Sequence, residues 1–436
     1  MYRKNSLLSW RSPYAAFAIT CVAAIFSLFG QSVAAQTMER RHDPFSIKEI
    51  FDSAWSRQPE ARSLSAREEA STARREAASS LTAEPAALEL LGKTDRLNRN
   101  QGGREYEVGI ALPLWLPGER SRTIALAEAE TQTLFAKIAA AKLRTAASIR
   151  EAYWSWQRAL VEQALARDRL SSARGIATDV AKRVRAGDLA RADQHQADGN
   201  LAAAESAFAE SQALLTATQQ QMRQITGIAL QPDTGTIVAD ASQRAETLPR
   251  IKAQAANFEG SHPQIADPAA QAEAARRAAD LARVQTRANP ELTLSTTRER
   301  GDFADQYQQS ITVGLRIPFG SSARHRSKNA QALAEALEAD AQFSLAQERV
   351  AAEFEAARQR VESVRLMSDA ANKRARLARE TRGFFEKSFR AGETDLPTRL
   401  RIELESIEAE RQAQRTQIDY AASISALRQA MGLLPE

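Results

Sequence analysis

The chain has 436 residues, of which 26% are charged, 43% hydrophobic and only 6% aromatic. It is long enough for an extensive core but poor in the bulky residues that usually fill one. The formal charge is +5, and Arg3, Lys4 and Arg11 contribute three of those charges within the first 35 residues. The remainder is close to balance, which argues against a nucleic-acid binder, and the apolar content argues against intrinsic disorder.

Arg3, Lys4 and Arg11 lead into an apolar stretch from Tyr14 to Phe29 and a small-residue site at Ser32-Val33-Ala34-Ala35. That order reads as a secretory signal over residues 1–35, cleaved after Ala35; the other reading is a retained anchor. Cys21, the only cysteine, lies inside this stretch. Cleavage leaves an exported chain with no disulfide, thiol catalysis or cysteine metal site.

The rest of the chain repeats itself at an offset of 205. Val108-Gly109-Ile110-Ala111-Leu112-Pro113-Leu114 falls on Val313-Gly314-Leu315-Arg316-Ile317-Pro318-Phe319. Arg185-Ala186-Gly187-Asp188 falls on Arg390-Ala391-Gly392-Glu393, and Met222-Arg223-Gln224 on Leu427-Arg428-Gln429. Three distant blocks on one offset mark a duplicated half, because the period is far too long for a solenoid unit. The first repeat spans 36–228 with a β-hairpin at about 86–116, and the second spans 261–436 with a hairpin at about 290–319. A connection at 229–260 carries one short apolar run, Thr236 to Ala239, and no chemical motif.

In chain order each half predicts the same elements. A first helix, Ile47 to Leu81 or Ala269 to Thr286, ends before Glu84-Pro85 or Asn289-Pro290. Two strands with strict alternation follow: Tyr106, Val108, Ile110, Leu112 and Leu114 in one half and Ile311, Val313, Leu315, Ile317 and Phe319 in the other share a face. Polar, glycine-bearing connections at Asp95 to Gly103 and Glu299 to Asp305 suit hairpins. Ser121 to Arg185 and Ser322 to Arg390 then run almost without a helix breaker for roughly 100 Å at 1.5 Å per residue. Apolar residues at spacings of three and four, such as Ile149, Tyr153, Trp156 and Leu160, form a coiled-coil-like seam. Gly187 and Gly392 cap the long helices, and returning helices reach Gly227 and Gly432.

Alternating strands fit either one side of a soluble sandwich or the lipid side of an outer-membrane barrel. Four strands are too few to close a barrel, so the second reading requires several copies. The long helices far exceed the ~30 Å hydrocarbon thickness and must stand in water.

These residues resemble the TolC-type outer-membrane efflux family. The resemblance rests on Ser46-Ile47-Lys48-Glu49-Ile50 leading to Gln58-Pro59-Glu60, the paired Val-Gly strands, the Arg-Ala-Gly turns and the Arg-Gln closures at Arg223 and Arg428. It implies a mainly α chain with a small β part, in which a homotrimer shares a twelve-stranded outer-membrane barrel continuous with an α-helical tunnel in the periplasm. Such a chain is an exit duct of a tripartite pump, partnered by outer-membrane lipid, a periplasmic adaptor and an inner-membrane transporter, here of the resistance-nodulation-division type. Leu112-Pro113-Leu114-Trp115-Leu116-Pro117-Gly118-Glu119-Arg120 resembles the outer-membrane components of cobalt-zinc-cadmium systems, which implies heavy-metal cations as cargo. Type I protein secretion, drug efflux and a pore-less periplasmic scaffold are the alternatives.

The same resemblance assigns adaptor-contact tips to Arg185, Gly187 and Asp188 and to Arg390, Gly392 and Glu393. It places Asp193 in an acidic ring at the tunnel gate. The second half departs from that pattern, since Thr398-Arg399-Leu400-Arg401 has no acid before Glu403. A mixed ring of Asp193 with Arg399 or Arg401, or a plain solvated helix face, are the other readings.

Catalysis has no candidate. His42, His195, His262 and His325 are dispersed without metal-ligand spacing, and neither a phosphate loop nor a Gly-x-Ser-x-Gly elbow is present. No catalytic residue, cofactor, metal site or nucleic-acid partner is assigned. Trp154 and Trp156 read as seam packing, and Trp115 as an interfacial ring.

Overall fold

The computed structural model describes residues 46–98, 100–228, 246–249, 262–320 and 322–436. The expected signal at 1–35, Cys21, and the apolar run at 236–239 lie outside the described residues.

α1 (Ile47–Arg57) begins at a capping box in which the Ser46 hydroxyl accepts the Glu49 N–H at 3.2 Å and the Glu49 carboxylate accepts the Ser46 N–H at 3.1 Å. The single helix expected from Ile47 to Leu81 is instead three: α1, α2 (Pro59–Arg62) and α3 (Leu64–Ala78). Gln58 precedes proline and is extended, with φ −66° and ψ 142°, so the break falls there. In the second repeat α6 (Pro263–Val284) starts six residues ahead of the expected Ala269, because Pro263 occupies the first turn and Pro268 is accommodated inside the helix.

β1 (Ala87–Thr94), β2 (Arg104–Pro113), β3 (Glu291–Arg300) and β4 (Gln308–Arg316) form one antiparallel sheet in sequence order. α4 (Glu119–Ala186) and α7 (Ser322–Arg390) have 68 and 69 residues, and at 1.5 Å per residue each runs roughly 100 Å. α5 (Arg191–Thr226) and α8 (Leu396–Ala430) return beside them. Gly187 and Gly392 make the reversals at φ +85° and +81°, a left-handed conformation that a side chain would strain.

The widest part of the core is a belt where α1, α4, α5 and α8 meet around Ile50, Ile149, Tyr153, Trp154, Leu160, Met222 and Ile418. Tyr153 and Trp154 stack edge to face with centroids 5.0 Å apart, and the Trp154 N–H donates to the Ser425 hydroxyl at 2.9 Å. Trp154 and Trp156 both belong to this buried belt, so both pack the seam, as their spacing suggests. Elsewhere smaller clusters join the long helices, around Phe389 and Leu396 at the turns and around Phe354 and Leu427 nearer the sheet. Ala371, Ala375, Ala409 and Ala413 alone make the cluster between α7 and α8 midway to the turn.

His262 caps α6: its Nδ1 accepts the Gln264 N–H at 3.2 Å, and the ring also meets the Ala430 backbone. Burial holds it below the ordinary histidine pKa of 6.5, partly offset by that backbone bond. Above pH 6.5 both folded and unfolded chains are neutral here; as pH falls, the unfolded chain takes up the proton first, so stability is lost downward from 6.5 through the folded value. Wild type is therefore expected to lose thermal stability between about pH 7 and about pH 5, and His262→Asn, which keeps a capping acceptor, to lose less. Melting temperatures across that range check it.

Candidate functional site: a one-sided sheet and two helical tips

The sheet register sorts the strand side chains into rows. Leu88, Ile110, Leu294 and Val313 align across all four strands, and they are 66%, 47%, 51% and 71% exposed. Leu90, Val108, Thr296 and Ile311 form the neighbouring row on that face. The opposite face carries Ala87, Ala111, Thr293 and Gly314 in one row and Glu89, Gly109, Ser295 and Thr312 in another. Here Ala111 and Ser295 are buried although small or polar. In these rows the larger apolar residues share one exposed face and the small or polar ones the other, the reverse of a soluble sheet over a core. Among the described residues no second sheet covers the apolar face, so the sandwich reading falls. β1 and β4 each keep one unpaired edge.

A buried carboxylate joins the sheet to the helices. Glu119, 2% exposed at the start of α4, accepts the Leu116 N–H at 3.0 Å, the Asn289 amide at 2.7 Å and the Gln285 amide at 2.8 Å. Asn289 also donates to the Leu114 carbonyl at 3.0 Å. The residues after β2 and before β3 are thus tied to one oxygen pair, which explains the Gly118-Glu119 element of the segment singled out in the sequence. The Trp115 indole N–H donates to the Ser80 carbonyl at 3.2 Å.

At the other end of the helices, the two turns are solvent-exposed: Arg185, Gly187, Asp188, Arg390, Gly392 and Glu393 all lie at the surface. Behind them Phe389 is buried, and the guanidiniums of Arg183 and Arg399 lie 4.8 Å and 4.5 Å from its ring centroid. This clamp ties α4, α7 and α8 together; its sequence signal was a phenylalanine immediately before the Arg-Ala-Gly turn, an aromatic at a point where a solvated tip needs none.

The four gate residues do not meet within one chain. The Asp193 carboxylate accepts the Ala190 N–H at 3.0 Å and so caps α5. Arg399 faces Asp179 of α4 at 3.9 Å, and Glu403 accepts the Ser172 hydroxyl at 2.8 Å with Arg382 at 3.8 Å. Arg401 pairs with Glu405 one turn along its own helix at 3.0 Å and stays exposed. Arg399 and Glu403 thus join helices, while the contacts of Asp193 and Arg401 stay within their own helices and caps.

Among the described residues no cluster of three His, Cys, Asp or Glu side chains is placed to hold a metal ion, and no helix is long and apolar enough to cross a membrane.

This architecture, an outward-greasy open sheet on helices of roughly 100 Å, is the fold of solved outer membrane channels. Residues 52–228 match the family model "Outer membrane efflux protein", a match that lies within the first repeat. Solved structures agree over nearly the full length. CusC superposes with a TM-score of 0.73 at 16% identity, covering 89% of this chain and 92% of that one. The open state of the Neisseria gonorrhoeae MtrE outer membrane channel gives 0.71 at 16%, covering 89% of each, and the Campylobacter jejuni CmeC outer membrane channel 0.69 at 15%, covering 88% and 85%. No curated protein matches in sequence. The chain thus shares the fold of solved outer membrane channels, and its first repeat is similar to outer membrane efflux proteins.

Proposed function

We propose that three copies close a twelve-stranded barrel and a continuous helical tunnel, and that this duct is the exit of a tripartite efflux pump. The observation that carries the reading is the four-stranded sheet with its apolar face outward and both edges open, because such a sheet satisfies its backbone in lipid only by joining further copies. The turns at 185–190 and 390–396, where Arg185, Gly187, Asp188, Arg390, Gly392 and Glu393 are exposed, are the surface for a periplasmic adaptor, which links the duct to an inner-membrane transporter of the resistance-nodulation-division type. The Leu112 to Arg120 segment supports heavy-metal cations as cargo. Sensitivity of a deletion strain to cobalt, zinc and cadmium, but not to detergents or dyes, is the expected pattern; the reverse favours drug efflux.

The decisive measurement is the mass of the protein extracted from outer membranes in detergent, by light scattering corrected for detergent. A value near three chains is expected. A water-soluble monomer overturns the duct.

Within the duct we assign Asp193 and Arg401 to the constriction at the tunnel mouth, on the strength of their place just past the turns and their partial freedom from helix-joining contacts. Asp193→Asn with Arg401→Gln is expected to raise single-channel conductance at least about twofold. Unchanged conductance in planar bilayers assigns both to a solvated helix face.

A further inference from the structure

The two repeats are equivalent in sequence but not in burial. α4 is covered by α8 along a ladder that includes Arg150 to Gln429 at 2.6 Å, Trp154 to Ser425 at 2.9 Å and Arg158 to Asp419 at 2.8 Å. The offset of 205 carries α4 onto α7 and α8 onto α5, yet α5 does not pack along α7 in one chain; α5 lies on α4, and α7 on α6 and α8. Accordingly Glu355, Gln359 and Leu366 of α7 are exposed where Arg150, Trp154 and Val161 of α4 are buried. Ala213, Gln220 and Arg223 of α5 are exposed where Ile418, Ser425 and Arg428 of α8 are buried.

The charges at these places complement one another. Inside the chain, Arg150 and Arg428 are both cationic and are held together by Glu246 between them, at 2.6 Å and 3.4 Å. The equivalent of Arg150 is Glu355 and the equivalent of Arg428 is Arg223, so the acid needed between two guanidiniums is already built into α7. Glu355 pairs with Arg358 on its own helix at 2.9 Å, with both side chains about half exposed to solvent.

We propose that α7 of one copy packs along α5 of the next as α4 packs along α8 within a chain, with Glu355 pairing with Arg223 of the next copy. Glu355 then stands between Arg358 and that arginine, as Glu246 stands between Arg150 and Arg428. The two faces differ, so the contact is head to tail, the kind that closes into a ring. This inference rests on the closed assembly proposed above and adds the residue pair that sets its register.

The test uses the full chain extracted from outer membranes. Glu355→Arg and Arg223→Glu each place like charges together, and each is expected to lower the three-chain fraction by light scattering at least about fivefold; the double reversal returns it to within about twofold of wild type. In a Cys21→Ser background, Glu355→Cys with Arg223→Cys is expected to yield two- and three-chain bands with a short bis-maleimide, and neither single cysteine to do so. A wild type of three chains in which the double reversal is no better than the worse single, and the cysteine pair does not cross-link, overturns this contact while leaving the duct intact. A monomeric wild type overturns both.

Discussion

Glu246→Ala is expected to destabilise the protein by about 3–5 kcal/mol, because it removes the acid from between two buried guanidiniums. Glu246 is 2% exposed at its side chain and receives Arg150 in a two-pronged contact at 2.9 Å and 2.6 Å. Arg428 reaches it at 3.4 Å and also holds Glu436 at 2.5 Å and the Thr247 carbonyl at 3.1 Å. Arg150 spends its remaining nitrogen on Gln429 and the Leu433 carbonyl, and Gln429 in turn donates to the Leu143 carbonyl at 2.9 Å. Truncating the acid leaves two charges with side chains 4% and 3% exposed and no anion between them. Glu246→Gln, which keeps an oxygen acceptor, loses less. Denaturant unfolding of the detergent-solubilised protein measures the difference, and a loss under about 1 kcal/mol in the alanine variant refutes the account.

Val313→Arg is expected to cost about 2–4 kcal/mol of folding free energy and most of the protein in the outer membrane, as charge on a barrel's lipid face does near the membrane centre. Val313 stands mid-strand in β4, opposite Leu294 and in the row that runs through Ile110 to Leu88. Its neighbour Thr312 projects to the other face, beside Ser295. Thr312→Arg is therefore expected to accumulate normally and to alter conductance instead. Outer-membrane yield and bilayer conductance of the two variants separate the faces; equal loss of yield from both removes the lipid-facing assignment.

Much of this architecture was legible because duplication writes the same signals twice. Period-two alternation at Val108 and Val313, breaker-free runs ending at Gly187 and Gly392, and the seam spacing of Tyr153, Trp156 and Leu160 each reflect local geometry that a side chain's neighbours in sequence impose. What stayed hidden depends on distance. Glu246 lies in the connection that carried no motif, and its partners Arg150 and Arg428 are 96 and 182 positions away, so nothing local announces a buried ion cluster. The Arg-Gln closure at Arg428 was visible as a repeat, yet the difference between buried Arg428 and exposed Arg223 arises only from which helices surround them. The split at Gln58 was foreshadowed by Pro59, whose effect on the preceding residue is local. At the tips the turns were plain in the sequence, whereas the roles of Arg399 and Glu403 as ties to α4 and α7 needed the neighbouring helices in place.

The all-alanine contact between α7 and α8 has a mechanical consequence. Cohesion between helices scales with the apolar area they hide from water, and a methyl group hides little. Ala371, Ala375, Ala409 and Ala413 bring the two backbones close while binding them weakly, and the flanking Arg379–Glu410 pair is exposed enough to add little. Towards the turn, Phe389 and Leu396 grip harder; towards the sheet, Phe354 and Leu427 do so too. The α7–α8 pair is accordingly gripped harder near its turn and near the sheet than between them, so a push delivered at the turn is expected to bend it first in that middle stretch.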